Sequence, residues 1–296
     1  MNLKDSLLAL TVIAVWGVNF FFMKIALDEV SPMVLGMLRF ALILLPAVFL
    51  LKRPAVPWYW LAAYGATISF GQFSLMFTAL SLGMPTGLAA LLLQGQVFFT
   101  VFLAAVFFRE PVQPNHLLGI VGAAAGLLLI GVGQYRGSVP LLAMWPVLGA
   151  AACWAAGNIV VKYIGRVNAL SLVVWGNISA LLLFGVCAFW FYGAEGVQAQ
   201  LAGLSWRGIA GVVFLAYVAS LVGYAGWGGL LSRYPAAQIT PLALLVPVVA
   251  LLVARVWLNE EMNGWHWSGV IVVMAALLIH VFGGRYRGRL KTGLPK

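Results

Sequence analysis

Apolar residues fill most of this chain in long blocks, and short polar or Pro- and Gly-containing stretches separate the blocks. Each block is close to the roughly 20 residues that an α-helix needs to cross the hydrocarbon core of a bilayer. The pattern predicts an all-α, polytopic membrane protein. Ten transmembrane helices are predicted, at residues 5–26, 32–51, 58–80, 86–107, 115–132, 142–163, 169–191, 207–231, 236–258 and 265–283.

The second half of the chain repeats features of the first half. Trp16 and Lys24 recur as Trp154 and Lys162 at an offset of 138 residues. Four later residues recur at an offset of 150, so that Pro85, Glu110, His116 and Gly119 match Pro235, Glu260, His266 and Gly269. If each repeat has an odd number of spans, the second copy is inverted in the membrane, with the substrate site expected at the repeat interface near the midplane. The prediction is two inverted five-helix repeats, residues 1–137 and 138–296.

Composition agrees with membrane residence. The chain of 296 residues is 64% hydrophobic and only 8% charged, with a mean hydropathy of +1.03. A soluble protein of this length could not bury so much apolar surface. No stretch is long and polar enough for a soluble catalytic domain, and the first block is interpreted as a retained helix rather than a signal peptide.

The net charge of +10 is explained by topology rather than by nucleic-acid binding. Ten spans put both termini on one side, and a cytoplasmic location satisfies the positive-inside rule. The outer loops then keep few basic residues, chiefly Arg136 and Arg207. The basic residues on the cytoplasmic side would be Lys4, Lys52, Arg53, Arg109, Arg166, Arg233 and, in a tail that contacts anionic headgroups, Arg285, Arg287, Arg289, Lys291 and Lys296.

A charged residue deep in a predicted span needs a partner or a function. Arg39 lies about two turns inside the second span and is the deepest charge in the chain. It is interpreted either as a carboxylate-facing group of the transport pathway or as a structural residue that holds a neighbouring helix. Its repeat equivalent is Asn177, which has no charge. A symmetric structural role would not require the charge, and this favours a functional role for Arg39.

Two Trp–Asn pairs stand at helical spacing, Trp16 with Asn19 and Trp154 with Asn158. Each pair offers an aromatic wall and an amide that both donates and accepts, which suits a small zwitterion. Alternatively, the Asn residues hold helices together and the Trp residues fill the bundle. Other candidates for hydrogen bonds or cavity walls in the third, fourth and eighth spans are Gln72, Gln94, Tyr217, Tyr224 and Trp227. Successive residues of a helix point about 100° apart, so Gln94 and Gln96 are not expected to face one partner closely, and Gln94 is preferred because it lies nearer the centre of the span.

Residues at the span ends and on small-residue faces have less specific interpretations. Four end-of-helix charges are interpreted either as side chains that snorkel to the membrane surface and form local ion pairs or as gates; they are Lys24, Lys162, Glu110 and Glu260. The fifth span carries Gly122 and Gly126 at a spacing that permits close helix packing, within the bundle or in a dimer. In the ninth span, Pro241 and Pro247 break the helix, which frees carbonyls for a cavity or simply kinks it.

Several kinds of chemistry have no counterpart in the sequence. The chain has no phosphate-binding G-x-x-x-x-G-K-[ST] loop, no H-E-x-x-H motif and no carboxylate in mid-span. Cys153 and Cys187 both fall inside predicted spans and are expected to be free thiols. The prediction is that the protein is not an enzyme and uses neither a cofactor nor a metal.

Several segments together resemble the drug/metabolite transporter superfamily and, within it, the EamA family and its exporters of O-acetylserine and cysteine. They are W-G-V-N-F at 16–20, L-R-F at 38–40, G-M-P-T-G-L-A-A-L at 83–91, Q-V-F-F-T at 96–100, R-Y-P-A at 233–236 and P-L-A-L-L-V-P-V-V at 241–249. The resemblance covers nearly the whole chain. It implies ten helices in two inverted repeats, a bacterial inner-membrane location and a central cavity. By position, it implies that the cavity residues include Trp16, Asn19, Gln72, Gln94, Trp154, Asn158, Tyr224 and Trp227.

Together these features predict an inner-membrane secondary transporter that exports a small amino-acid metabolite such as O-acetylserine or cysteine by alternating access. Its partners would be that substrate and the lipid bilayer, with the protein a monomer or a homodimer. The first alternative is a carrier of drugs, cations or other metabolites, although a cation carrier should have an acidic cavity. The second alternative is a channel, which should show a continuous polar stripe on several helices.

Overall fold

The computed structural model describes residues 1–109, 111–112, 114–134, 141–165, 167–234 and 240–292. Across these residues the chain is helical and contains no strand, so the predicted all-α class is confirmed. The helices are α1 (Leu3–Leu27), α2 (Pro32–Leu50), α3 (Trp58–Tyr64), α4 (Gln72–Ser81), α5 (Thr86–Leu93), α6 (Gln96–Phe108), α7 (Pro114–Gln134), α8 (Leu141–Ile164), α9 (Ala169–Ala202), α10 (Trp206–Val213), α11 (Gly223–Arg233), α12 (Val246–Trp257) and α13 (Gly264–Thr292).

Five helical stretches are long and apolar enough to cross a membrane by length and composition, within the part of the chain that the structure describes. They are Leu3–Leu27, Pro32–Leu50, Thr86–Phe108, Leu141–Ile164 and Ala169–Ala202. Shorter apolar helices account for most of the remaining predicted segments. Every predicted segment contains helix, while the number of segments that cross the membrane stays a prediction.

Local sequence signals explain where several helices begin and end. The Asn2 side chain accepts a hydrogen bond from the Asp5 backbone N–H at 2.8 Å and caps α1. Pro32 occupies the first position of α2, where its missing N–H costs no helical bond. At the other end of a helix, Arg109 adopts a left-handed conformation with φ of 55° and terminates α6.

Two helices that the sequence predicts as continuous contain π-helical turns at corresponding places in the two halves. The first π-helical turn spans Gly65–Gly71 between α3 and α4, and the second spans Phe214–Val222 between α10 and α11. Within the second, the Ser220 hydroxyl donates to the Leu215 carbonyl at 2.9 Å. Such turns widen the helix locally and are frequent at functional sites.

The described part of the ninth predicted segment, residues 240–258, does not begin as an α-helix. Thr240–Leu245 forms a 3-10 helix, and α12 follows with Pro247 in its first turn. The predicted break in this segment is therefore confirmed. The side chain of Pro241 lies outside the described part of the structure, so its own contribution to the break stays a prediction.

Helix α9 is longer than the predicted span 169–191. The structure continues the helix to Ala202, with one non-helical residue at Gly193, where φ is 67° and ψ is 172°. Glycine adopts this backbone conformation without a steric penalty, so the chain can bend and then resume the helix. Val197 is buried in the resumed turn, which anchors it against the rest of the protein.

The two halves of the chain pack on each other in a reciprocal way. Helix α1 contacts α11 and α12 of the second half, and α8 contacts α4, α5 and α6 of the first half. Helices α2 and α9 pack together, as do α7 and α13. The α2–α9 and α7–α13 pairs each join equivalent helices of the two predicted repeats. Helices α1 and α8, the first of each repeat, instead contact the third and fourth segments of the other half, so the interior is an interface between the halves.

The glycines at the α7–α13 contact explain how closely these two helices approach. A Cβ atom added at Gly126 would lie 2.6 Å from the Val273 side chain and 2.9 Å from the Gly269 carbonyl oxygen. A Cβ at Gly122 would lie 2.9 Å from Ala276. The predicted small-residue face is thus used within the chain, in the bundle contact that was one of its two interpretations.

Candidate functional site

A cavity with a volume of about 490 Å³ lies between the two halves of the chain. Its walls come from α1, α2, α4, α5, α6, α8, α11, α12 and the turns that join them. All nine residues predicted to bind substrate line this cavity. They are Trp16, Asn19, Arg39, Gln72, Gln94, Trp154, Asn158, Tyr224 and Trp227. Their role in binding stays a prediction, whereas their assembly around one space is a feature of the fold.

Aromatic rings form one wall of the cavity. The Trp16 ring packs against the rings of Tyr224 and Trp227, with centroids 5.9 Å and 5.2 Å apart. The Trp16 indole N–H donates to the Ala219 carbonyl at 3.0 Å. This hydrogen bond holds the Trp16 ring against the second half of the chain, so the aromatic wall is part of the interface between the halves.

The two predicted asparagines have different surroundings. Asn19 is buried, and its amide nitrogen contacts the Met23 sulfur at 3.9 Å. Its side-chain oxygen is buried with no hydrogen-bond partner among the described residues. Asn158 is half-buried and donates to the side-chain oxygens of Gln96 and Thr100, at 3.1 Å and 3.0 Å. Asn158 therefore joins α8 to α6 and lines the cavity, which combines both of its predicted roles.

Gln94 lines the cavity, as predicted, and Gln96 lines it too. The predicted single helix contains a turn at Gln94 and Gly95, between α5 and α6. Gln94 contacts the Ala243 carbonyl across the cavity at 3.5 Å.

Arg39 is 3% exposed and lies on the cavity wall formed by α2. Its Nη2 donates to the Ser220 hydroxyl at 3.0 Å. Its guanidinium carbon lies 4.1 Å from the centre of the Phe73 ring, a favourable position for a cation–π interaction. Nε and Nη1 are buried and have no hydrogen-bond partner among the residues that the structure describes.

Sequence analysis did not identify several residues that line the cavity, and it named one candidate that lies elsewhere. Phe20, Met23, Phe73 and Met76 line the cavity but carry no signal that separates them from ordinary apolar packing residues. Tyr217, which was grouped with Tyr224, is not a lining residue and instead packs against the main hydrophobic core.

At one end of the cavity, an acidic residue of the second half holds a helix of the first half. The Glu260 carboxylate accepts hydrogen bonds from the Thr86 N–H at 2.8 Å, the Thr86 hydroxyl at 2.9 Å and the Gly87 N–H at 3.3 Å. These groups lie at the N-terminus of α5, where a negative charge is favourable. We call this contact the Glu260 latch. Its repeat counterpart, Glu110, lies outside the described residues.

A second acidic contact joins the halves at the same end. The Glu29 carboxylate accepts hydrogen bonds from the Ser205 N–H at 2.7 Å and the Ser205 hydroxyl at 2.6 Å. These bonds lower the pKa of Glu29 below its ordinary value, and the positive charge of Arg207 adds a smaller contribution. Nearby, the Gln200 side chain accepts a bond from the Ser31 N–H at 2.8 Å. Together these contacts join residues 29–31 of the first half to residues 200–205 of the second half.

At the opposite end, Asp5 forms a salt bridge with Arg233 and accepts a hydrogen bond from the Tyr234 hydroxyl at 2.7 Å. The predicted ion pair of Lys24 is confirmed, because Lys24 pairs with Asp28 one turn further along the chain. Lys162 lies over the Phe108 ring, with its nitrogen 4.4 Å from the ring centre.

The described lining of the cavity suits the binding of a small molecule and contains no arrangement of side chains for covalent catalysis. Its lining, as far as the structure describes it, combines large aromatic rings, amides and one guanidinium, and includes no Asp or Glu. No group of three or more His, Cys, Asp or Glu side chains that could hold a metal occurs in the described ranges. Cys153 and Cys187 are free thiols, as predicted.

Comparison with known sequences identifies related membrane transporters. The chain matches the EamA-like transporter family twice, over residues 3–132 and 141–282. A "Probable amino-acid metabolite efflux pump" of Salmonella typhimurium is 41% identical over 292 residues, covering 97% of this chain and 98% of the relative. A protein of the same description from Escherichia coli K12 is 40% identical over 298 residues, covering 99% and 100%.

Two more distant similarities are to another exporter and to a solved structure with a similar fold. A "Probable terminal-alkyne amino-acid exporter" of Streptantibioticus cattleyicolor is 29% identical over 205 residues, which is 68% of this chain and 62% of the relative. One solved crystal structure matches with a TM-score of 0.62 and 17% identity, covering 93% of this chain and 95% of that one. At this level of identity the structural likeness concerns the fold alone.

Proposed function

Since the chain belongs to the EamA-like transporter family, we propose that it is a bacterial inner-membrane secondary transporter that exports small amino-acid metabolites. O-acetylserine and cysteine are the first substrates to test. The observation that carries the proposal is a cavity between the halves that gathers aromatic rings, amides and one buried guanidinium. The names of the relatives from Salmonella typhimurium and Escherichia coli support the substrate class.

The proposed architecture is ten spans in two inverted five-helix repeats, with both termini in the cytoplasm. Three observations support it. The family matches twice along the chain, the two π-helical turns occupy corresponding positions, and equivalent helices of the two halves pair with each other. The basic residues near the proposed cytoplasmic ends follow the positive-inside rule.

The proposed mechanism is alternating access, in which the two halves rock about the central cavity. In the described state, the Glu260 latch and the Glu29 contact hold the halves together at the end of the cavity that this topology assigns to the outer face. Release of these contacts would open the outer path, while the contact of Asp5 with Arg233 controls the cytoplasmic end. The polar contacts at the two ends of the cavity can break and re-form, which permits exchange between two packed states.

The cavity composition favours this proposal over the alternatives. A carrier of lipophilic cations is expected to place an acid in its binding site, and the described lining has none. A channel needs a continuous polar path, whereas the lining alternates amides with large aromatic and aliphatic side chains. A cavity of this volume suits a small metabolite with both polar and apolar parts.

The proposal is tested by measuring export from cells that do or do not overproduce the protein. Cells are loaded with labelled O-acetylserine, labelled cysteine, a panel of other amino acids and a cationic dye. Faster loss of the amino-acid metabolites, with unchanged dye efflux, is the expected result. Dye efflux without any change in amino-acid export would refute the substrate class and favour the drug carrier.

A further inference from the structure

The guanidinium of Arg39 has more hydrogen-bond donors than its structural contact uses. Nη2 reaches the Ser220 hydroxyl, and Phe73 covers one face of the guanidinium group. Nε and Nη1 remain buried and unpartnered among the described residues. Because Arg39 also lines the cavity, these donors lie beside a space that a ligand can enter.

The second half of the chain makes the same structural contact without a charge. Asn177 of α9 is the repeat equivalent of Arg39 of α2, and its side-chain oxygen accepts a hydrogen bond from the Ser69 hydroxyl at 2.6 Å. Ser69 lies in the first π-helical turn and Ser220 in the second. Asn177 does not line the cavity. A neutral amide is therefore sufficient for the contact between these helices, and the charge of Arg39 needs another explanation.

An uncompensated buried cation is costly in a membrane protein, so such residues usually pair with an anion or face a functional cavity. The described residues that line the cavity include no Asp or Glu that could neutralise Arg39. The cation–π contact with Phe73 compensates for only part of the lost hydration. An anionic group on the transported molecule would supply the missing partner, and the planar guanidinium matches a carboxylate.

We infer that Arg39 is the carboxylate-binding subsite of the cavity, so the protein selects substrates with a free carboxylate. The inference rests on the proposed export function. Asn19 provides a complementary acceptor, since its buried side-chain oxygen is also unpartnered among the described residues. That oxygen accepts a hydrogen bond from the ammonium group of the substrate. The substrate class is therefore the zwitterionic α-amino acid, which includes O-acetylserine and cysteine.

The test is competition against labelled cysteine in exchange assays with proteoliposomes that contain the full-length protein. The unlabelled competitors are cysteine, cysteamine, which lacks the carboxylate, and N-acetylcysteine, which lacks the ammonium group. Loss of a charge-assisted hydrogen bond predicts that cysteamine competes about 10- to 100-fold less well than cysteine. Equal competition by cysteine and cysteamine would overturn the inference without any variant.

Arg39→Asn is the matched variant, because the other half of the chain already uses Asn at this place. It should lose most of the preference for cysteine over cysteamine, whereas Ser220→Ala, which removes the structural contact and keeps the charge, should retain it. An Arg39→Asn protein that keeps the wild-type preference contradicts the carboxylate subsite. If wild-type protein exchanges neither cysteine nor O-acetylserine, the proposed function fails instead, so the two failures are distinguishable.

Discussion

The Glu260 latch should control how often the outer end of the cavity opens. Glu260→Gln preserves the size of the side chain and removes its negative charge. The amide oxygen can still accept from Thr86, but the amide nitrogen cannot accept the third bond, which Gly87 donates at 3.3 Å. The substitution therefore removes one hydrogen bond and weakens the other two.

The magnitude follows from the contacts. A hydrogen bond to a charged group contributes about 1.5–3 kcal/mol, and a charge at a helix N-terminus adds about 0.3–1 kcal/mol. Because Glu260 is half-exposed, solvent reduces these values, and we expect a loss of about 1–2 kcal/mol. If the open state is a minor one, its population should rise by about 5- to 30-fold.

A cysteine at position 23 can report this change. Met23 lines the cavity and is 2% exposed, and the two natural cysteines are replaced by Ala in the reporter protein. A membrane-impermeant maleimide added outside the cell should label Met23→Cys about 5- to 30-fold faster in the presence of Glu260→Gln. The exposed Glu195→Gln change is the matched control and should have no effect. Equal labelling rates for Glu260→Gln and its parent would refute the latch.

Three further results are expected. Gly126→Val places side-chain atoms against Val273, and overpacking of about 1–3 kcal/mol should lower the midpoint of thermal unfolding in detergent. Because the pKa of Glu29 is lowered, its contact is fully formed above the ordinary value of 4.5 and is lost as the pH falls through the lowered pKa. Relative to labelling of an exposed cysteine at the same pH, which corrects for the falling thiolate fraction, labelling of the cysteine reporter should therefore increase in acid, and Glu29→Gln should remove this increase. Trp16→Phe loses the bond to Ala219, at a cost of about 1 kcal/mol, which should raise the KM of transport; an unchanged KM would show that this bond does not shape the site.

Hydropathy predicted the helical segments well because the apolar blocks are long and their ends carry strong signals. The predicted segment 142–163 differs by one residue at each end from α8, Leu141–Ile164. Segment 169–191 ended too early, since one glycine in an unusual conformation bends α9 without ending it. A single glycine in an apolar sequence does not reveal whether a helix stops or continues beyond it.

The interior breaks could not be predicted with the same success. The π-helical turns depend on contacts between helices, such as the approach of Gly65 to the Gly176 carbonyl, rather than on a local sequence signal. The turn at Gln94 and Gly95 has no proline that would signal it. The sequence therefore suggested a choice between Gln94 and Gln96, two residues that the fold brings to the same cavity.

The repeat pattern was the most useful guide to the cavity residues. It supported the Trp–Asn pairs because they occur in both halves. Arg39 stood out by its depth in the second span, and its uncharged repeat counterpart favoured a functional role. The serine partners of Arg39 and Asn177 were not identifiable as such, since they lie 181 and 108 residues away in the sequence. Only the packing of α2 and α9 against the π-helical turns brings these groups together.

The central claim is that the cavity between the halves transports amino-acid metabolites. Its most direct test is efflux of labelled O-acetylserine and cysteine from proteoliposomes that contain the purified protein, or its Asn19→Ala or Asn158→Ala variant. Wild-type protein should release both substrates, and each variant should do so about 10-fold more slowly, since each loses a polar group of the cavity. Protein-independent efflux, or equal rates for wild type and both variants, would contradict the account.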